Sequence, residues 1–368
     1  MAVVLSMICL GIESSCDDTC VALLDGTTIL AEVASSQVRL HALFGGVVPE
    51  VASREHAKYI GQLCQQAFKQ AQCKPEDVDL VAVTRGPGLL GSLLVGVSFA
   101  KAFALGRNIP IIGVNHLHAH LFVATLEHNV EFPALGLLVS GGHTHLCRID
   151  GPRDMHVLGK TLDDAAGEAF DKAGKMLGLP YPAGRHIDEL SRLGVSDNRL
   201  FPRPYLDNDT LDFSFSGLKT AMQYHLANHA YGKVAFDPLT GELDLNHIVP
   251  QSLYDVCASY TSAVVETLKK KTARALLQEQ GIRSIVLAGG VAANSFLRKA
   301  IHELAVENNL NFYAPTLAHC ADNAVMIAHL GARLYAMGYE HELGFEAIPR
   351  GQVIPDDMLC GISGGECQ

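Results

Sequence analysis

The residues most able to do chemistry in this chain lie in the run His116-Leu117-His118-Ala119-His120. On a helix, His116 and His120 are four apart and share a face, so two ring nitrogens can turn toward one ion while His118 points elsewhere. Asn115 stands where an N-cap would, which predicts a helix beginning at His116. Such a pair fits surface or capping histidines as well as a metal pair, so a third donor is needed. Zinc peptidases of the HExxH type place a general-base glutamate directly after the first histidine, and residue 117 is leucine. That weakens a peptidase reading and leaves a two-histidine, one-carboxylate set with open positions. Asp322, in "HCADNAVMIAH", is the best remote third donor because it opens a helix after the strand "NFYAP". Its other possible role is that of an N-cap or first-turn acid complementing the helix dipole.

The elements that must hold these groups read as an α/β chain. The 368 residues are about right for two domains, and 48% apolar residues, 18% charged residues, 34 glycines and no tryptophan fit alternating strands and helices. "ICLGIESS", "CVALLDG" and "TTILAEVASS" predict three antiparallel strands, with Asp17, Asp18, Asp25 and Gly26 in the turns. A helix near 50 to 72 follows, then the strand "DLVAVT", a Gly-rich turn, a helix to about 106, the strand "PIIGV" and the histidine helix. The same grammar begins again at "ALGLLVSGG", "HTHLCRIDG" and "MHVLGK". It resumes after helices spanning much of 164 to 280 with "SIVLAGG", a helix from Ala293, "NFYAP" and a helix over about 321 to 337. This order predicts an internal duplication, with halves at 1–133 and 134–345 and a tail at 346–368. A cleft between two such halves, lined by Gly turns and helix N-termini, suits a nucleotide; taken singly, each Gly pair equally well just satisfies a turn.

Nine ordered blocks, "GIESSCDDT", "FGGVVPEVASREH", "GPGLLGSLLVG", "HLHAH", "LLVSGGHT", "DDAAGEAFDKAGKMLGL", "DFSFSGLKTA", "LAGGVAANSFLR" and "CADNAVMIA", resemble the bacterial tRNA adenosine threonylcarbamoyltransferase family from about residue 8 to 345. The resemblance implies an actin-, Hsp70- and sugar-kinase-like ATPase fold with two ribonuclease-H-like halves around a nucleotide cleft. It implies transfer of the threonylcarbamoyl group from threonylcarbamoyl adenylate to the exocyclic amine of the adenosine next to the anticodon, in tRNAs reading codons that start with A, with release of AMP. It places one divalent ion per subunit, iron or zinc, on His116, His120 and Asp322. Adenylate contacts fall on Val139, Ser140, Gly141, Gly142, His143, Asp171, Gly184, Asp188 and Asn294. Backbone amides of a Ser-Gly-Gly turn can approach phosphate closely, and carboxylates suit ribose hydroxyls. For the general base, Asp17 in the first hairpin turn is the candidate and Glu13 the fallback; either can instead be turn or strand-end structure.

This chain departs from the usual family pattern at Ala183, where a glycine is common, at His118 and at His145. Residues 228 to 248 read as an insertion, with "DPLTGELD" an acidic surface loop, and the tail beyond 346 is not covered by the resemblance. The formal charge of −11 argues against a generic nucleic-acid coat. The densest basic run, Lys269, Lys270, Lys271 and Arg274, reads as the solvated face of a helix. Since tRNA binding is then incompletely explained by this chain alone, partner proteins are expected, and the resemblance implies which: a catalytically inactive paralogue and a small P-loop ATPase. The stripe Ile60, Leu63, Cys64, Ala67 and Phe68 serves either as a dimer face or as packing on its own sheet. Scattered cysteines, and an apolar stretch at 88 to 106 broken by glycines, Ser98 and Lys101, predict a cytoplasmic protein with no membrane span. The competing functions are a small-molecule kinase of the same fold without a histidine metal site, a metallo-endopeptidase, and a non-catalytic actin-like scaffold.

Overall fold

The computed structural model describes residues 7–206, 208–231, 234–237, 241–244 and 250–360. The chain forms two compact units, the first comprising 1–129 and 322–368 and the second 130–321. In the first, strands β1 (Ile8–Glu13), β2 (Asp18–Asp25) and β3 (Thr28–Ser36) pair antiparallel, and helices α1 (Val38–Ala42) and α2 (Pro49–Ala71) follow. Then come β4 (Leu80–Gly86), α3 (Leu90–Arg107), β5 (Ile111–Asn115), α4 (His116–Phe122) and α5 (Ala124–Glu127). The sheet order is β3-β2-β1-β4-β5, with β4 parallel to both β1 and β5.

The second unit repeats this plan. Strands β6 (Ala134–Val139), β7 (Thr144–Ile149) and β8 (Met155–Lys160) pair antiparallel. Helices α6 (Ala166–Met176), α7 (Gly184–Ser191), α8 (Ser216–Asn228) and α9 (Gln251–Gln278) precede β9 (Ser284–Ala288), α10 (Ser295–Glu307) and β10 (Asn311–Tyr313). Its order, β8-β7-β6-β9-β10, matches the first sheet strand for strand, with β9 parallel to β6 and β10. The duplication expected from the sequence is present as two mixed five-stranded sheets.

The chain then returns to the first unit through α11 (Ala324–Ala336), β11 (Tyr339–Glu340) and β12 (Leu359–Cys360). The second compact unit thus ends at Ala321, inside the stretch read as the C-terminal half. The reason is packing: α11 is buried almost all round and lies on β1, β2 and β4. A Cβ at Gly11 of β1 would overlap the Ala324 carbonyl oxygen and the Ala328 methyl.

Other expectations are corrected by the packing. The helix expected from Ala293 begins at Ser295, because the Asn294 side chain accepts the Leu297 N–H and caps it after a 3-10 turn. The stripe on α2 faces its own sheet, and His56, four residues before Ile60, lies on the same buried side. The apolar helix α3, long enough to span a membrane by composition, buries Leu93, Gly96, Val97, Ala100 and Ala104 and packs on α2 and β4 as a core helix.

The basic run on α9 is not a solvated face throughout. Lys271 is fully buried and donates to Asn208 Oδ1 and the Thr210 carbonyl, while Arg274 binds carbonyls of Leu206, Asn208 and Thr210. Lys269 and Lys270 pair with Glu307 and Glu266. Within the insertion, residues 232–233, 238–240 and 245–248 lie outside the described residues; a turn in the described remainder closes through Asp237 and Glu242.

Candidate metal centre and nucleotide loops

The candidate metal donors gather at the carboxyl ends of β1, β4 and β5, the edge at which open α/β sheets place ligands. β5 ends at Asn115, whose side-chain oxygen accepts the N–H groups of Leu117 and His118 and starts α4 immediately. His116 therefore occupies the first helical position and His120 the next turn of the same face, with ring centroids 4.7 Å apart and nearly perpendicular. Asn323, not Asp322, caps α11 by accepting the Met326 N–H. Asp322 is left to turn toward the histidines: its Oδ1 lies 3.0 Å from His120 Nε2 and 3.5 Å from His116 Nε2. One donor atom from each of the three residues lies within 4.8 Å of the others.

Behind His116 stands Glu13, fully buried at the end of β1. Its Oε2 lies 2.9 Å from His116 Nδ1 and accepts the Thr84 hydroxyl at 2.6 Å, while Oε1 accepts the Ser15 N–H. A carboxylate at Nδ1 puts the proton there and leaves Nε2, on the Asp322 side, as the lone-pair donor. Burial alone raises the Glu13 carboxyl, but His116 beside it brings it below the ordinary value. Burial likewise opposes charge on His116, yet Glu13 and Asp322 lift its pKa to about 9. The two carboxylates thus favour positive charge in this pocket, carried on Nε2 by a proton in the metal-free site or by a metal ion that displaces it. Two imidazoles and one carboxylate form a donor set that iron and zinc both accept, so the residues fit the ion. His120 Nδ1, by contrast, is buried without a hydrogen-bond partner.

Asp17 sits half-buried in the β1–β2 turn, its backbone carbonyl accepting the Gln37 N–H. Glu13, the fallback candidate, faces inward with both oxygens engaged by Ser15, Thr84 and His116. The sequence reading missed Asp18 next door, taken there as a turn residue. Its Oδ1 is buried without a partner, and burial first, then the charges of Asp17, Asp322 and Glu13, push its pKa up to about 7. His56 was also missed: it bridges the Thr19 hydroxyl and the Cys16 carbonyl and so pins the same turn. Its position four residues before Ile60 on an amphipathic helix was the available signal.

In the second unit the expected adenylate residues meet through consecutive contacts. Ser140, Gly141, Gly142 and His143 form the β6–β7 turn after Val139, closed by Ser140 N–H to the His143 carbonyl and His143 N–H to Ser140 Oγ. The Ser140 carbonyl in turn accepts the Gly167 N–H in the first turn of α6. Asp171 on α6 accepts the Ala183 N–H at 2.7 Å, just before Gly184 opens α7. Ala183 is helical in φ and ψ, so the missing glycine imposes no strain there. Asp188 on α7 accepts both the N–H and hydroxyl of Ser295 at 2.9 Å and pairs with Arg192, which brings it beside Asn294. A further grouping, Asp150, Asp154 and His156, lies toward the solvent, with Asp150 held by Arg148.

The family profile described as tRNA N6-adenosine threonylcarbamoyltransferase matches residues 28–329. The chain belongs to the tRNA N6-adenosine threonylcarbamoyltransferase family. Its activity is accordingly transfer of a threonylcarbamoyl group to N6 of a tRNA adenosine. The transferase of Nitratidesulfovibrio vulgaris is 54% identical over 97% of this chain and 99% of its own length, and that of Lawsonia intracellularis 52% over 96% and 99%. Among solved structures, full-length HypF covers 90% of this transferase and 46% of its own chain, with a TM-score of 0.56 at 14% identity. That likeness shows the fold alone, two related mixed five-stranded sheets.

Proposed function

We propose that the transferase takes the threonylcarbamoyl group from threonylcarbamoyl adenylate and places it on the adenosine next to the anticodon, in tRNAs reading codons that start with A, through the His116, His120 and Asp322 centre. The observation that carries this reading is the convergence of both Nε2 atoms on Asp322 Oδ1, with Glu13 holding His116 from behind. His116, His120 and Asp322 would hold an iron or zinc ion, which would supply Lewis-acid polarisation there.

The chain's own residues do the rest. Backbone amides at Ser140 to His143 and the first turn of α6 receive adenylate phosphate, Val139 backs the turn from the strand, and Asp171, Asp188 and Asn294 orient ribose and base beside Gly184. In the transfer the adenosine N6 forms a bond to the carbamoyl carbon, the bond from that carbon to the phosphate oxygen breaks, and its electron pair leaves with AMP. Asp17, in the turn directly after the metal-facing strand end, accepts the N6 proton. The charge of −11 and the internal pairing of the α9 basic run support a need for partner proteins in tRNA binding; the family resemblance assigns that part to an inactive paralogue and a small P-loop ATPase in the cytoplasm.

The test is nucleoside mass spectrometry of unmodified tRNA incubated with the transferase and threonylcarbamoyl adenylate, beside a His116→Ala, His120→Ala protein. Modified adenosine from the wild type alone supports the centre's role; equal product from both removes it.

A further inference from the structure

The segment after α11 crosses back over the sheet and ends on a buried arginine. Arg85, the residue after Thr84 on β4, has a side chain only 2% exposed, and its guanidinium binds Asp357 through both terminal nitrogens, at 2.5 and 3.2 Å. Its Nε donates to the Glu346 carbonyl, and the Phe345 ring lies 5.3 Å from its Cζ. His341, its N–H on the Ile111 carbonyl, accepts the Gly113 N–H at Nδ1 and presents Nε2 to the same Arg85–Asp357 pair. Lys101 donates to the Phe345 carbonyl from the other side, and β12 pairs with β11 to close the strap.

The strap also grips the turn that follows Arg85. The Ile348 N–H donates to the Arg85 carbonyl, and the Arg350 N–H to the Gly88 carbonyl. That turn rests directly on Ser15: the Leu89 N–H donates to the Ser15 carbonyl, and Gly88 packs so closely that a Cβ there would overlap Ser15. Ser15 gives its own N–H to Glu13 and places its hydroxyl 3.4 Å from His116 Nδ1. From the opposite face of β4, Thr84 donates to the other Glu13 oxygen. Two neighbouring residues of one strand therefore join the strap to the groups that orient the metal-facing imidazole.

We infer that Arg85 is a positioning residue and Asp357 its latch: docking of the 341–360 strap fixes the Gly86–Leu89 turn on Ser15, and through it the Glu13–His116 hydrogen bond that aims His116 Nε2. A buried guanidinium makes the latch directional, since its charge is compensated only when the strap is in place, and the bidentate geometry selects a carboxylate over any neutral group. The inference rests on the metal reading only for its consequence; the orientation of His116 is a property of the protein itself.

The experiment compares the full-length wild type, Asp357→Asn and Asp357→Glu by ¹⁵N spectra of the histidine rings, with the His116 signal assigned against a His116→Gln spectrum, and by zinc titration. In Asp357→Asn the His116 ring resonances shift and zinc affinity falls about tenfold, the lower end of the effect of losing ligand support; Asp357→Glu recovers both. Phe345→Leu, which leaves the ion pair intact and removes only the ring beneath it, moves them in the same direction by less. Unchanged His116 resonances in Asp357→Asn, with only the melting temperature lowered, overturn the latch. Should the wild type take up no zinc or ferrous iron, the metal reading falls, and the resonance comparison still decides the latch.

Discussion

Glu13 Oε2 and His116 Nδ1 stand 2.9 Å apart in a site where the carboxylate has no solvent contact. The pair joins the first strand of the chain to a helix 103 positions later, and it decides which nitrogen of His116 faces Asp322. Glu13→Gln keeps the volume but can present an N–H to Nδ1 and so favour the opposite tautomer. Metal affinity measured by competition with a chromophoric chelator falls about 10- to 100-fold, the usual cost of disturbing a ligand's supporting carboxylate. Wild-type affinity in Glu13→Gln would show that tautomer control lies elsewhere.

Asp18 predicts an unusual pH dependence of stability. Its folded pKa of about 7 lies above the ordinary 3.8, so the folded chain keeps a proton that the unfolded chain releases. The associated stability is fully present below about pH 4 and is lost as pH rises to 7. Asp18→Asn removes that loss: urea unfolding of the metal-free protein shows its advantage over wild type growing from pH 5 to pH 8. An advantage of the same size at both values contradicts the assignment.

Buried histidines act in the opposite pH direction. Burial, then Arg333, lowers His329 to about 3; burial, then Arg85, lowers His341 to about 4; and burial, then Lys160, lowers His145 to about 4. All three are neutral in the folded chain, whereas the unfolded chain protonates them below 6.5, so their contribution is complete above about pH 6.5 and drains away toward pH 4. The melting temperature of His329→Gln therefore drops less than that of wild type between pH 7 and pH 5. Parallel curves would rule out His329 as a contributor.

Gly11→Ala tests the return of the chain to the first unit. The added methyl has no room between β1 and α11, and overpacking of this kind costs about 1–3 kcal/mol. Chemical denaturation reads the loss directly; an unchanged midpoint would mean that α11 does not hold against β1.

Much of this architecture can be read from residue order because strand alternation, Gly turns and caps are local signals. Asn115 announced the start of the histidine helix, and Asp322 could be nominated from its place after a strand. What stayed hidden depends on contacts distant in sequence. The apolar faces of α11 say that it is buried but not on which sheet, so the domain boundary was placed too late. Glu13 is visibly a carboxylate at a strand end, yet only the fold brings Thr84 and His116 to it and makes it a support. Lys271 looked solvated because its neighbours are; its carbonyl partners sit about sixty positions earlier.

The most direct measurement of the central claim is transfer from preformed threonylcarbamoyl adenylate to tRNA by protein stripped of metal with a chelator, then reloaded with zinc or ferrous iron. The account predicts that stripping abolishes transfer, that one equivalent of ion restores it in the wild type, and that His120→Ala is not restored. Stripped protein that transfers at the wild-type rate would contradict it.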